Sequence, residues 1–194
     1  MNLPNLLTLS RIPLMFIIVG LLYMNWTGAA TLAFVLFVVA GVTDWLDGLV
    51  ARKQGLVSTF GILMDALTDK VLMLGLMIAL VDLDKISIFL VLLILGREFM
   101  ITGMRLVAAT KGVVVSAERS GKQKTMTQIL SIGAFLLADA VRTDLEVWLD
   151  LDLADVAQWG DWLGMGLFIL ATVITLTSGY NYFRRYGSLV FADD

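Results

Sequence analysis

The chain contains no cysteine and no histidine. The first absence excludes disulfides and thiol chemistry. The second narrows a general base to a carboxylate or, as the weaker candidate, a lysine. Soft, zinc-type metal sites are disfavoured as well, so a metal centre built from this composition is an oxygen site suited to Mg²⁺ or Mn²⁺. Charge is also scarce, at 16% of 194 residues, while 59% are hydrophobic. With a mean hydropathy of +0.88, the chain is too apolar for an ordinary soluble domain and reads as a multi-span membrane protein. The net charge of −3 comes largely from an acidic stretch between Asp144 and Asp161, so it implies no nucleic-acid partner.

Six apolar segments can be read, near residues 6–23, 29–43, 56–81, 86–107, 126–141 and 160–180. The expected fold is an all-α integral membrane domain of six transmembrane helices with a short N-terminal interfacial helix, occupying residues 1–194. The second segment is short for a span, and it is expected to continue as helix past Asp44 to about Ala51, because helix is the only cheap backbone conformation in lipid. The N-terminus does not read as a cleaved signal, since Asn2, Pro4 and Asn5 precede the first apolar run without an early basic cluster. It reads either as a short interfacial helix turning into the membrane near Pro13 or simply as the start of the first span.

Lys and Arg set the orientation. Arg52 and Lys53 lie between segments two and three, Lys111, Arg119, Lys122 and Lys124 between four and five, and Arg184 and Arg185 after six. The other connections carry little positive charge, with Lys85 in one and Arg142 at the edge of another. Both termini are therefore expected on the cytoplasmic side. Trp148, Trp159 and Trp162, near the acidic stretch, fit an aromatic belt at the opposite interface.

Against this background stand four aspartates, Asp44, Asp47, Asp65 and Asp69. Each carboxylate within a bilayer costs roughly 2.5–3.5 kcal/mol, so four amount to about 10 kcal/mol unless compensated. Asp44 and Asp47, three apart, share one side of a helix, which the small residues Gly48 and Ala51 extend. Gly61, Asp65 and Asp69, each four apart, line one face of the next. Joined by a short loop, two antiparallel helices would bring four carboxylates together near the cytoplasmic surface, a geometry that can hold two hard cations. Two such metals beside an arginine suit phosphoryl chemistry. Arg52 can grip a phosphate with a bidentate fork, and Ser58 can add a hydroxyl. Taken singly these features have plainer readings. An aspartate pair is often a helix cap, Lys70 can pair with Asp65 or Asp69, and Gly48 and Gly61 can be packing glycines.

Jointly, residues 44–69 match the pattern Asp-x2-Asp-Gly-x2-Ala-Arg-x8-Gly-x3-Asp-x3-Asp at every defined position. In this the chain resembles the CDP-alcohol phosphatidyltransferases, a family of integral membrane enzymes. The resemblance implies six helices, usually in a homodimer, and two divalent metals, Mg²⁺ or Mn²⁺. It implies that Asp44, Asp47 and Asp65 ligate metal, and that Asp69 is the base with a second role near the metals. Asn5, Thr8, Asp47, Gly48, Arg52, Ser58 and Gly61 would meet a CDP-diacylglycerol donor. Many relatives carry proline after the third aspartate, whereas Ala66 stands there in this chain, so the helix is expected to run straighter.

Shorter motifs extend the resemblance over most of the chain. Residues 2–11, Gly96-Arg97-Glu98 with Arg105, and Gly121-Lys122-Gln-Lys124-Thr125 resemble the bacterial phosphatidylglycerophosphate synthases of the family. That implies glycerol 3-phosphate as acceptor, and Arg97, Arg105, Lys122 and Lys124 are the candidates for its phosphate. Arg97 stands out because an arginine within an apolar span is costly; its plain reading is an ion pair with Glu98 or an aspartate. Lys122 and Lys124 can equally be topology markers. Other acceptors, namely phosphatidylglycerol, inositol phosphate or serine, keep the same donor site. An ion pathway lined by the four aspartates is the reading from another class.

Overall fold

In a computed structural model of the protein, the backbone is described for residues 3–54, 59–110 and 119–191, and the side chains for residues 10–43, 68, 70–110 and 123–187. All regular structure among these residues is helical. Five long helices come first: α1 (Leu3–Leu22), α2 (Ala29–Gln54), α3 (Thr59–Asp82), α4 (Ile88–Thr110) and α5 (Arg119–Ala140). A π turn (Val141–Leu145) and a single α turn, α6 (Glu146–Leu149), lead to the 38-residue α7 (Ala154–Phe191). The second apolar segment does continue as helix through Asp44 and Ala51, ending at Gln54.

The N-terminal segment is not a separate element. Residues 3–22 form one helix with Pro13 inside it, which corrects the short interfacial helix and agrees with its alternative, a helix continuous with the first apolar segment. Proline removes one backbone hydrogen bond, and here that loss does not end the helix. Helix α7 also exceeds its apolar segment, and α5 begins well before it. By length and composition Ala154–Gly187 is able to cross a membrane; Ser10–Leu22 and Ala29–Thr43 are apolar but shorter.

The helices pack in a ring, with neighbours α1–α2–α5–α7–α4–α3 and back to α1. The core draws on every long helix, centred on Ile18, Ala33, Leu76, Val91, Phe135 and Phe168. Glycine permits close approach: a Cβ at Gly164 of α7 would lie 3.0 Å from the Phe135 ring of α5. The exterior is apolar, with Phe16, Phe89, Phe99, Leu106 and Leu163 all largely exposed. That is the inverse of a soluble surface and is suited to lipid.

One end of the ring is tied by charge. Lys85, between α3 and α4, donates to Asp139 of α5 at 2.7 Å and to Asp161 of α7 at 3.0 Å. Arg142 donates to the same two carboxylates. At this end Tyr23 also donates to Asp82 at 2.8 Å.

Beside this network Asp144 is fully buried. Its two carboxylate oxygens accept from the backbone N–H groups of Gly28 at 2.7 Å and Thr31 at 2.6 Å, so a residue of the π turn caps α2. The sequence reading placed Asp144 at the edge of an exposed acidic stretch; the wider π turn instead aims it inward. Gly28 has φ +111°, and a Cβ there would meet the Trp26 ring at 2.9 Å, so glycine is required for the chain to enter α2 at this angle.

Burial alone would push the Asp144 carboxyl up, but the donors from Gly28 and Thr31 outweigh it and hold it below the usual carboxylate value. A lowered folded value means that the stabilisation is complete above the unfolded value of about 3.9 and is lost as pH falls through the lowered one. Asp144→Asn, which leaves an N–H donor facing a donor, is expected to cost about 1–3 kcal/mol. It should also flatten the acid limb of a plot of thermal midpoint against pH, and an unchanged midpoint at pH 7 would refute the cap.

Candidate active site

The signature residues lie on the halves of α2 and α3 remote from the Asp144 cap. Asp44 is sixteen residues beyond Gly28, or about 24 Å along the helix. The helical backbone places Asp44, Asp47, Gly48 and Arg52 on α2, and Gly61, Asp65 and Asp69 on α3. Their side chains, and those of Asn5, Thr8 and Lys122, lie outside the described residues, as does Ser58 altogether.

Lys70, next after Asp69, leads from the signature to a polar cluster. Its Nζ donates to Thr102 Oγ1 of α4 at 3.2 Å, and that hydroxyl donates to the Glu98 carbonyl at 2.8 Å. Glu98 is the centre. Its Oε1 accepts from Arg97 Nη1 at 3.1 Å and also from Lys124 Nζ of α5. Both cations are buried. Arg97 further donates from Nη2 to Ser178 Oγ of α7 at 2.8 Å. Two charged donors from different helices thus converge on a single carboxylate oxygen, with α7 holding one of them from behind.

Local sequence explains this arrangement. Arg97 lies nine residues into α4, about 14 Å from its start, and is buried, so its guanidinium finds its partners within the bundle. It reaches Ser178 by laying its stem across α7 at Gly179, where a Cβ would come within 2.7 Å of Arg97 Cγ. Gln128, one turn beyond Lys124 on α5, is buried, and its amide nitrogen has no hydrogen-bond partner. A buried donor left open calls for an acceptor that the described residues do not supply.

Of the four cations picked from sequence for an acceptor phosphate, the structure brings Arg97 and Lys124 together. Arg105 lies exposed two turns further along α4. The plain reading of Arg97 as a partner of Glu98 holds as well, with Lys124 on the same oxygen. Ser178, Gly179, Gln128 and Thr102 escaped the sequence reading, because each looks ordinary until helices distant in the chain are packed together.

The family model described as CDP-alcohol phosphatidyltransferase matches residues 1–177. The chain belongs to the CDP-alcohol phosphatidyltransferase family. It is 38% identical to a CDP-diacylglycerol–glycerol-3-phosphate 3-phosphatidyltransferase of Bacillus subtilis, over 95% of this chain and 94% of that one. The protein of the same name from Rickettsia typhi is 34% identical, over 94% and 96%. A probable phosphatidylglycerophosphate synthase of Mycobacterium tuberculosis is 35% identical over 70% of this chain and 66% of its own. In this phosphatidyltransferase the Glu98 cluster adjoins the helix that carries half of the family signature.

The Gly179 contact can be tested alone. Gly179→Ala must displace the Arg97 stem and is expected to lower stability by about 1–3 kcal/mol. Gly166→Ala, at a glycine of the same helix with open space around it, should change it by less than about 1 kcal/mol. Equal shifts in thermal midpoint would remove the special role of Gly179.

Proposed function

We propose that this protein transfers the phosphatidyl group of CDP-diacylglycerol to glycerol 3-phosphate, forming phosphatidylglycerophosphate and CMP. The observation that carries the acceptor assignment is the convergence of Arg97 and Lys124, both buried, one helix away from Asp69. Two buried cations aimed at one point suit a phosphate oxygen, and an acceptor without an anionic group has no use for them. The names borne by the Bacillus and Rickettsia relatives agree with this reading.

In this proposal all six long helices cross the membrane and the protein works as a homodimer. The apolar exterior of the helices supports the spans, and the exposed Trp148, Trp159 and Trp162 at the Asp144 end supply an aromatic belt for one interface. The signature end, rich in Lys and Arg, faces the cytoplasm together with both termini. There a donor with its tails in lipid can meet a water-soluble acceptor.

Asp44, Asp47, Asp65 and Asp69 would hold two Mg²⁺ or Mn²⁺ ions. The donor set fits, because a chain without cysteine or histidine offers such ions only hard oxygen ligands. When bound, the ions neutralise phosphate charge during displacement. Asn5, Thr8, Gly48, Arg52, Ser58 and Gly61 would orient the CDP-lipid. Arg97 and Lys124, with Arg105 and Lys122 further out, would hold the acceptor phosphate. Asp69 takes the proton from the acceptor's 1-hydroxyl. That oxygen forms a bond to the lipid-bearing phosphorus while the bond to the bridging oxygen breaks, and CMP leaves with the electron pair.

Two variants separate these roles. Asp69→Asn should lower CMP release by about 10²–10⁴-fold with both substrates saturating, and near-normal turnover would sink its role as base. Arg97→Gln should raise the KM for glycerol 3-phosphate by about tenfold or more and leave the KM for CDP-diacylglycerol unchanged. If purified protein with CDP-diacylglycerol and Mg²⁺ turns over serine or phosphatidylglycerol faster than glycerol 3-phosphate, the acceptor assignment falls.

A further inference from the structure

We infer that Glu98 is a displaceable counter-ion, a carboxylate that occupies the place of an acceptor phosphate oxygen and thereby sets how tightly that phosphate is held. The inference rests on the reading of Arg97 and Lys124 as the acceptor-phosphate site.

The geometry is specific. A single oxygen, Oε1, accepts from Arg97 Nη1 and from Lys124 Nζ. That is how a phosphate oxygen is met by two charged donors. The cations are more deeply buried than the carboxylate: the side chains of Arg97 and Lys124 are 8% and 9% exposed, and that of Glu98 is 24% exposed. Of the three, Glu98 is therefore the one with room to move. Arg97 is held from behind by Ser178 and by its passage over Gly179, so it keeps its place when its partner changes.

The energetics follow from burial. Two cations in a low-dielectric bundle are costly without an anion, and removing one partner of a buried pair leaves the other uncompensated. The carboxylate meets that cost while the acceptor is absent. An arriving phosphate replaces one anion with another, so its net gain is the difference between the two and not the full attraction of both cations. A carboxylate with its single charge yields to a phosphate carrying nearly two at pH 7, but competes well with weaker anions. On this account Glu98 is a specificity-determining residue. It weakens acceptor binding in exchange for rejecting lesser anions and for keeping Arg97 and Lys124 in position between turnovers.

The test is Glu98→Gln in the full-length protein, assayed with CDP-diacylglycerol and Mg²⁺. The KM for glycerol 3-phosphate is expected to fall about tenfold, the scale of one charge-assisted hydrogen bond. Inhibition by inorganic phosphate should strengthen by a similar factor, while kcat changes by less than about threefold. A merely structural role would lower kcat or leave KM alone, and an unchanged or raised KM overturns the inference. Should the variant prove too unstable to assay, its thermal midpoint decides: inorganic phosphate must raise it by more than it raises that of the parent, and an equal or smaller rise is fatal. Arg97→Gln and Lys124→Gln separate the two levels. If neither raises the acceptor KM, the phosphate site itself is misplaced. If both do and Glu98→Gln does not lower it, only the counter-ion role fails.

Discussion

Asp144, Arg97 and Lys124, buried in this bundle, each meet a counter-charge or the end of a helix, and much of the architecture follows from that requirement. In an apolar solvent no water is present to satisfy a stray ion or an open backbone N–H. Asp144 meets the requirement by capping α2 across the ring. Lys85 and Arg142 meet it by sharing Asp139 and Asp161. Arg97 and Lys124 meet it through Glu98.

The two ends solve the problem differently, and that difference separates structure from function. At the Asp144 end the charges close on themselves: two cations face two carboxylates, and the cap uses both of its oxygens. This end fixes where α2 begins and so, through a rigid helix, the height at which the signature sits. At the other end the balance is looser. Two buried cations share one carboxylate oxygen, and Gln128, one turn beyond Lys124, keeps an open donor. The step from Lys70 to Thr102 and Glu98 ties this opening to the helix that carries the proposed base, so the proposed acceptor site and base share a pair of helices.

Much of this was legible in the sequence, because it depends on local pattern. Apolar runs marked the long helices, and the rule that backbone in lipid stays helical carried α2 correctly past Asp44. The fixed spacing of the signature identified the family. What escaped depends on contacts between residues far apart in the chain. Asp144 and Gly28 are separated by 116 positions, and Arg97 and Ser178 by 81. An aspartate in an acidic stretch gives no sign that a π turn will aim it inward, and one glycine of α7 looks like another until Arg97 is laid across it. Pro13 misled for a different reason: proline lowers the preference for helix without forbidding it, and α1 packs against both α2 and α3, which favours one uninterrupted rod.

The same reasoning bears on why Arg97 is an arginine. Three of its tasks are geometric: a stem that crosses α7 at Gly179, one nitrogen on Ser178 and another on Glu98. A guanidinium meets them with a planar fork that remains charged wherever it is buried. A lysine in its place would bring a single nitrogen with no fixed plane, and burial would draw its proton off more readily. Lys124 needs only to deliver charge to a point already defined by Arg97, and a flexible ammonium suffices for that. A rigid fork from α4 and a single ammonium from α5 thus meet on the same carboxylate oxygen. Only the fork, with a second nitrogen to spare, can also be held from a third helix, through Ser178 of α7.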